Sequence, residues 1–134
     1  MSESHELVVT WTSPDRPGLV HAVTGACAQV GGNLTECQQF TSTDTGNFFI
    51  RLQVESASSR ADLESAVSEL AGKCNATVHV DELGRPVRTL ILASKASHCL
   101  SHLLFNRDAG RLPIDVVQVM ANHPDLADLT AFHK

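Results

Sequence analysis

The sequence has 134 residues, of which 43% are hydrophobic and 19% are charged, a size and composition typical of globular proteins that exclude wholesale disorder. Its net charge of -5, without a basic cluster, and its lack of a long apolar run argue against nucleic-acid binding and membrane association, so we expect neither partner. The four cysteines form no CxxC pair and the N-terminus has no signal sequence, so we expect free thiols, no metal site and a cytoplasmic protein.

The first part of the chain predicts six elements in the order strand, helix, strand, strand, helix, strand. Strands are indicated by β-branched, aromatic or alternating apolar residues, and helices by apolar residues three and four positions apart. This order predicts an α+β, ferredoxin-like βαββαβ domain, in which two helices cover one face of an antiparallel sheet. The elements are strand 6–12, a helix from Gly18 to a stop at Gly31-Gly32, strands 33–42 and 46–54 joined by the turn TDTG, a helix with apolar residues across 63–71, and strand 76–82.

Local signals mark the ends of the second helix and the start of a new region. Ser59 or Ser58 is the expected cap, and Gly72 lies near the expected end. A polar stretch, 83–88, contains Gly84 and is a predicted linker.

Beyond the linker, the chain alternates strand, helix, strand, helix. The first of these strands, 89–94, is a continuous apolar run typical of a strand buried on both faces of a parallel sheet. A helical pattern follows over 97–110, then a strand over 114–122 and a helix from about 125. This order predicts the start of a Rossmann-like α/β domain. Because two parallel strands make no stable sheet alone, we expect the chain to be a fragment of a longer protein.

The junction between the first strand and the first helix, SPDRPGLV, is the most suggestive candidate site. Proline fixes the backbone and Gly18 allows close approach, so the amides of residues 18–20 at the positive helix end could bind a carboxylate. The alternative, which physical reasoning favours, is that Asp15 caps the helix and Gly18 makes room for a neighbouring strand.

A second candidate site follows the strands of the later region. Ser97 and His98 come after one predicted parallel strand, and Asn122 and His123 after the next, so all four are expected at the carboxyl edge where ligands of α/β sheets bind. His98 and His102 share a helix face, but no HExxH glutamate accompanies them, and a solvent or partner surface is the favoured role. The segment SKASH lacks the glycines of a nucleotide phosphate loop.

Four stretches together resemble the formyltetrahydrofolate deformylases: SPDRPGLVHAVT, GGNLTECQQFTSTDTGNFFIRL, SKASHCLSHLLFNRDAGRLPIDV and NHPDL. The first, with DRPGLV, also marks ACT domains, which are small ferredoxin-like regulatory modules that bind amino acids. The resemblance implies an ACT domain over 1–82, the linker 83–88, and over 89–134 the truncated start of a catalytic domain of the formyltransferase fold.

The resemblance also implies a function. Deformylases hydrolyse 10-formyltetrahydrofolate, the substrate, to formate and tetrahydrofolate in one-carbon and purine metabolism, with no cofactor. Their catalytic Asn, His and Asp are expected beyond Lys134, so this chain alone is expected to be inactive. The absence of phosphate-loop glycines fits hydrolysis better than formyl transfer. The alternative function is a stand-alone ACT-type module that senses an amino acid.

The ACT resemblance implies a small amino-acid effector such as glycine or methionine, and a homo-oligomer. Ser97, His98, Asn122 and His123 become a possible substrate wall. The residues implied at the effector site or at a subunit interface are Asp15, Arg16, Pro17, Gly18, Leu19 and Asn33.

Overall fold

In a computed structural model that describes residues 4–133, the polypeptide divides into two units between Leu83 and Gly84. The first unit has the predicted order of elements, which confirms the ferredoxin-like α+β fold. Each strand and helix lies within a few residues of its expected position. The elements are β1 (His5–Pro14), α1 (Leu19–Gln29), β2 (Gly32–Thr41), β3 (Asn47–Ser56), α2 (Arg60–Cys74) and β4 (Thr77–Glu82).

The sheet of the first unit is antiparallel, with strand order β2-β3-β1-β4. β1 pairs with β3 along its whole length, from His5 opposite Ser56 to Pro14 opposite Asn47. Alternate residues of a strand point to opposite faces, so one face is apolar and is covered by the two helices. The indole N–H of the buried Trp11 donates to the Ser13 hydroxyl at 3.0 Å, which satisfies both polar groups inside the core.

The helices of the first unit end at residues with a left-handed backbone, and α2 begins with a side-chain cap. α1 ends as expected before Gly31, whose φ of +75° favours glycine. α2 begins with a capping box, in which the Ser59 hydroxyl accepts from the Asp62 amide and the Asp62 carboxylate accepts from the Ser59 amide. As expected, Gly72 lies near the end of α2, which runs to Cys74 and stops where Asn75 adopts the left-handed conformation (φ +51°).

The second unit alternates strands and helices around a parallel pair. β5 starts at Val87, two residues before the expected position, because Val87 and Arg88 already pair with Ile114 and Asp115. The pairing runs on to Ala93 opposite Ala121, with a register shift after Thr89. The elements are β5 (Val87–Ala93), α3 (His98–Asp108), β6 (Ile114–Ala121), the short 3-10 helix Pro124–Leu126 and α4 (Ala127–Phe132).

β5 is covered on one face, whereas the sequence predicted burial on both. Ile91 is buried against Leu100, Leu104 and Leu126 of the neighbouring helices. Its chain neighbours Leu90 and Leu92 point to the other face and are 48% and 74% exposed. None of the helices within residues 4–133 has the length and apolar character needed to cross a membrane.

Candidate functional site

The loop between β1 and α1 begins the helix without a side-chain cap. Gly18 is the N-cap residue, with φ +87°, and no side chain within residues 4–133 donates or accepts the capping hydrogen bond. The expected cap, Asp15, lies three residues too early; its backbone N–H instead donates to the Gly46 carbonyl at 2.8 Å. The proposed capping role of Asp15 was therefore wrong.

The expectation that Gly18 makes room for a neighbouring strand was also wrong. A Cβ added to Gly18 would meet no described atom within 4 Å, so glycine makes no room for a neighbouring strand here. The positive φ is the reason for glycine, because L-residues with a side chain rarely adopt that conformation. The first-turn amides of α1 have no acceptor inside the helix and are free to bind a group placed beyond its N-terminus.

A cavity of about 560 Å³ adjoins this loop. Four of the six residues implied by the ACT resemblance line it: Asp15, Arg16, Gly18 and Leu19. Pro17 is not among the lining residues. We call this cavity the loop pocket.

Asn33 lies away from the loop pocket. It is an exposed residue near the start of β2, and the nearest lining residue of that strand is Gln39, roughly 20 Å further along at about 3.4 Å per residue. The structure does not bring Asn33 to the site.

Sequence reasoning missed the other walls of the loop pocket. Gln39 and Thr41 come from the end of β2, Phe48 from the start of β3, and His21 from the first turn of α1. Phe48 is 4% exposed and supplies an apolar wall. Pro14, the last residue of β1, pairs with Asn47, the first residue of β3. The C-terminal end of β1 and the turn of the β2-β3 hairpin therefore lie at the same end of the sheet. The sequence predicts the hairpin but not this pairing register, so it carried no signal that these residues line the pocket.

The loop pocket combines groups that suit a small zwitterion. The Arg16 guanidinium and the amides at the positive end of α1 favour a carboxylate. The first turn of α1, Leu-Val-His-Ala, carries no acidic residue that would compete for these donors. The Asp15 carboxylate can accept from an ammonium group, and Leu19 and Phe48 offer apolar contact.

Arg16 also reaches the end of the second helix. Its guanidinium donates to the Cys74 sulfur at 2.8 Å, across 58 positions of sequence. Cys74 is the last residue of α2 and is 8% exposed. The loop is thus tied to the rest of the first unit at two points: Asp15 bonds to the hairpin turn at Gly46, and Arg16 bonds to the buried Cys74.

In the second unit, the two predicted ligand segments share one sheet edge. Ala93 and Ala121, the last residues of β5 and β6, are paired, so the segments that follow them start side by side. Ser97, His98 and Asn122 are exposed and His123 is half-buried. Within residues 4–133, no three His, Cys, Asp or Glu side chains are grouped to hold a metal ion.

A further cavity in the second unit was not anticipated. It measures about 670 Å³ and is lined by Leu104 and Arg107 of α3, residues 115–119 of β6, and Thr130 and His133 near the chain end. Beside it, His133 Nδ1 lies 2.6 Å from the Asp108 carboxylate, and Arg107 donates to the same carboxylate. The hydrogen bonds from His133 and Arg107 hold the pKa of Asp108 below its usual value.

Comparison with known proteins gives a match to the ACT domain over residues 5–81. A formyltetrahydrofolate deformylase from Corynebacterium sp. (strain P-1) is 38% identical over 136 residues, which cover 99% of this chain and 48% of the relative. The deformylase of Bacillus subtilis (strain 168) is 31% identical over 120 residues, covering 87% of this chain and 40% of the relative. The chain therefore spans about half the length, or less, of the curated relatives it matches.

Solved structures give the same result. A formyltetrahydrofolate deformylase from Pseudomonas putida KT2440 superposes with a TM-score of 0.83 at 29% identity, covering 98% of this chain and 48% of that one. The corresponding structure from Burkholderia mallei ATCC 23344 has a TM-score of 0.80 at 29% identity, with 96% and 46% covered. Both units of the chain are thus similar to one kind of protein.

Proposed function

The chain belongs to the ACT domain family, and from that premise we propose that it is the sensor-bearing part of a formyltetrahydrofolate deformylase. Such an enzyme hydrolyses 10-formyltetrahydrofolate to formate and tetrahydrofolate, a step of one-carbon and purine metabolism in the cytoplasm. The observation that carries the proposal is that the deformylases match both units. A stand-alone ACT module would leave the second unit, Gly84–Lys134, without a counterpart.

We assign different tasks to the two units. Residues 1–82 are the regulatory ACT domain, 83–88 the linker and 89–134 the first part of the catalytic domain. The division of the chain between Leu83 and Gly84 supports this assignment. Ser97, His98, Asn122 and His123 form part of the wall of the folate site, which the shared edge of β5 and β6 supports.

The hydrolysis needs a group that accepts a proton from water and donors that stabilise the oxyanion formed at the formyl carbon. We propose that these catalytic groups lie outside the present 134 residues, because the deformylase relatives are about twice as long. The purified chain should release no formate from 10-formyltetrahydrofolate, whereas a full-length deformylase assayed in parallel should release it. Formate release by the chain alone would contradict this placement.

The loop pocket is the proposed effector site, with glycine or methionine as candidate effectors. Support comes from the arrangement of Arg16, the α1 amides and Asp15 around one cavity. In calorimetric titration, we expect one of these amino acids to bind the chain and the variant Asp15→Ala to bind it at least tenfold more weakly, since a charged hydrogen bond is lost.

The matched control for that titration is Asp44→Ala, which removes an exposed carboxylate from the neighbouring hairpin turn without touching the pocket. Its affinity should equal that of the wild type. If Asp44→Ala weakens binding as much as Asp15→Ala, net charge rather than the loop pocket governs the affinity.

We further propose that the protein is a homo-oligomer paired through β2. This strand lies at the edge of the sheet, is ten residues long and carries Glu36 as its one charged residue. Natural edge strands usually discourage pairing with lysine, proline, a short length or a β-bulge; β2 has no lysine or proline, and its register shift between Leu34 and Glu36 leaves residues 36–41 as a regular stretch. Because Gln39 and Thr41 of β2 line the loop pocket, a partner strand here would border the effector site.

A further inference from the structure

The contact between Arg16 and Cys74 joins the loop pocket to the far end of α2. Every residue of the loop from Asp15 to Gly18 is exposed, so packing alone does not fix it. Cys74, by contrast, belongs to the buried core of the first unit. The Arg16 guanidinium donates to the sulfur of this fixed residue at 2.8 Å. The side chain of an exposed residue is thus held by a buried one.

Fixing one N–H group of a guanidinium fixes the direction of the others. The group is planar and carries five donors in a rigid fork, and the sulfur occupies one of them. The remaining donors keep their direction only while that contact lasts. Arg16 also lines the loop pocket, so the same side chain touches both the pocket and α2. The C-terminal end of α2 further favours a nearby cation through its partial negative charge.

We propose that Cys74 is a positioning residue, whose sulfur orients the Arg16 guanidinium so that its free N–H groups receive the carboxylate of the effector in the loop pocket. The proposal rests on the proposed effector site. It also makes the end of α2 part of the sensor: a shift of α2 moves the carboxylate-binding group, and an occupied pocket stabilises the end of α2 in return.

The test compares three cysteine variants of the full chain. Cys74→Ala removes the acceptor, and Cys74→Ser replaces the sulfur with an oxygen that still accepts. Cys27→Ala is the matched control, because Cys27 is a fully buried thiol of α1 outside the residues that line the loop pocket. All three lose core volume, but Cys74→Ala alone loses the contact with Arg16.

The first measurement needs no ligand. Amide hydrogen exchange of Asp15 and Ala22, whose N–H groups donate to the Gly46 and Gly18 carbonyls at 2.8 and 3.0 Å, should accelerate at least several-fold in Cys74→Ala and stay near the wild-type rate in Cys74→Ser and Cys27→Ala. Equal acceleration in Cys74→Ala and Cys27→Ala would show that core packing rather than the contact controls the loop, and would overturn the proposal. If Cys74→Ala does not fold, Arg16→Gln takes its place, because it removes the donor of the same contact and should accelerate exchange of the same amides.

The second measurement is calorimetric titration with glycine and methionine. Affinity should fall about tenfold in Cys74→Ala and remain within about threefold in Cys74→Ser. The double variant Arg16→Gln, Cys74→Ala should bind as weakly as Arg16→Gln alone, since both changes break one contact. Additive losses would contradict the positioning role. Absence of any binding by the wild type would remove the effector site, while the exchange rates would still decide whether Cys74 orders the loop.

Discussion

Gly18 lies at the start of α1 and Gly25 in its middle, seven residues later. The backbone conformation at Gly18 favours glycine, whereas the conformation at Gly25 favours alanine. Gly18 has φ +87°, while Gly25 has the helical backbone of α1. A Cβ at either position would meet no described atom within 4 Å, so steric contact does not distinguish them. The two positions differ in backbone conformation, because only Gly18 has a positive φ.

We therefore expect the same substitution to change stability in opposite directions. Gly18→Ala should lower the free energy of unfolding by about 1 kcal/mol, the usual cost of a left-handed conformation in an L-residue. Gly25→Ala should raise it by about 0.5–1 kcal/mol, since alanine is the better helix former. Urea unfolding of the two variants and the wild type measures both. A loss of stability in Gly25→Ala would mean that glycine has another role in that helix.

The buried Cys27 thiol ionises less readily than a thiol in water. Burial raises the pKa of the Cys27 thiol to about 11, from a usual value of 9.0. The folded state therefore holds this proton after the unfolded chain has lost it, so the free energy of unfolding is full below pH 9.0 and falls as the pH rises towards about 11.

The exposed thiols of Cys37 and Cys99 should react rapidly with a thiol-specific disulfide reagent at pH 8, and the buried thiols of Cys27 and Cys74 slowly.

The alkaline loss of stability is checked by denaturant titration at pH 8 and at pH 10. The wild type should lose more stability between these values than Cys27→Ala, which has no proton to lose at that position. Identical losses in both proteins would assign the alkaline transition to other groups.

At the scale of elements, the sequence predicted most of what local chemistry determines. A serine cap was expected at Ser59 or Ser58 because these residues precede an amphipathic run, and the structure has it at Ser59; the hairpin was expected because TDTG joined two strand patterns. The end of α2 was expected near Gly72 and lies two residues later, at Cys74, where Asn75 adopts the left-handed conformation.

The candidate site shows the same limit. Asp15, Arg16, Gly18 and Leu19 are near neighbours in sequence and were found together, whereas Gln39, Thr41 and Phe48 reach the loop pocket through strand pairing. The contact between Arg16 and Cys74 also joins residues far apart in sequence. Pattern analysis places residues on elements, but the register that brings two elements to one pocket depends on pairing along the whole sheet.

The edge strand β2 gives a prediction at the same scale. The Ser42 amide donates to the Asn47 carbonyl, so by the alternation of antiparallel pairing the N–H of Cys37 points away from β3. Cys37→Pro should abolish pairing between two β2 edges while leaving the sheet intact, because proline removes an outward-facing donor. Sedimentation velocity should show a smaller species than for the wild type, with an unchanged circular dichroism spectrum.

The control keeps the position and restores the donor. Cys37→Ser retains its backbone N–H and should sediment like the wild type. If Cys37→Pro sediments like Cys37→Ser, the oligomer forms through another surface. A wild type that is monomeric at all concentrations would contradict the homo-oligomer itself.

At the scale of the whole molecule, the two units differ in how much core they hold. Within residues 4–133, the first unit contains sixteen buried apolar residues in one cluster and the second contains four. The second unit also exposes Leu90 and Leu92 on the uncovered face of its sheet. Burial of apolar surface is the main favourable contribution to folding, and domains this small are marginal even with well-formed cores.

We expect the two units to behave differently when separated. A fragment of residues 1–83 should unfold cooperatively on heating, because its entire cluster is retained, whereas a fragment of residues 84–134 should lack a cooperative transition. Thermal melts followed by far-ultraviolet circular dichroism check both fragments. In the intact chain, amide exchange should show stronger protection in β1 and β3 than in β5 and β6. Cooperative unfolding of the 84–134 fragment would show that four buried side chains and a parallel pair suffice, and that Leu90 and Leu92 need no further cover for the unit to fold.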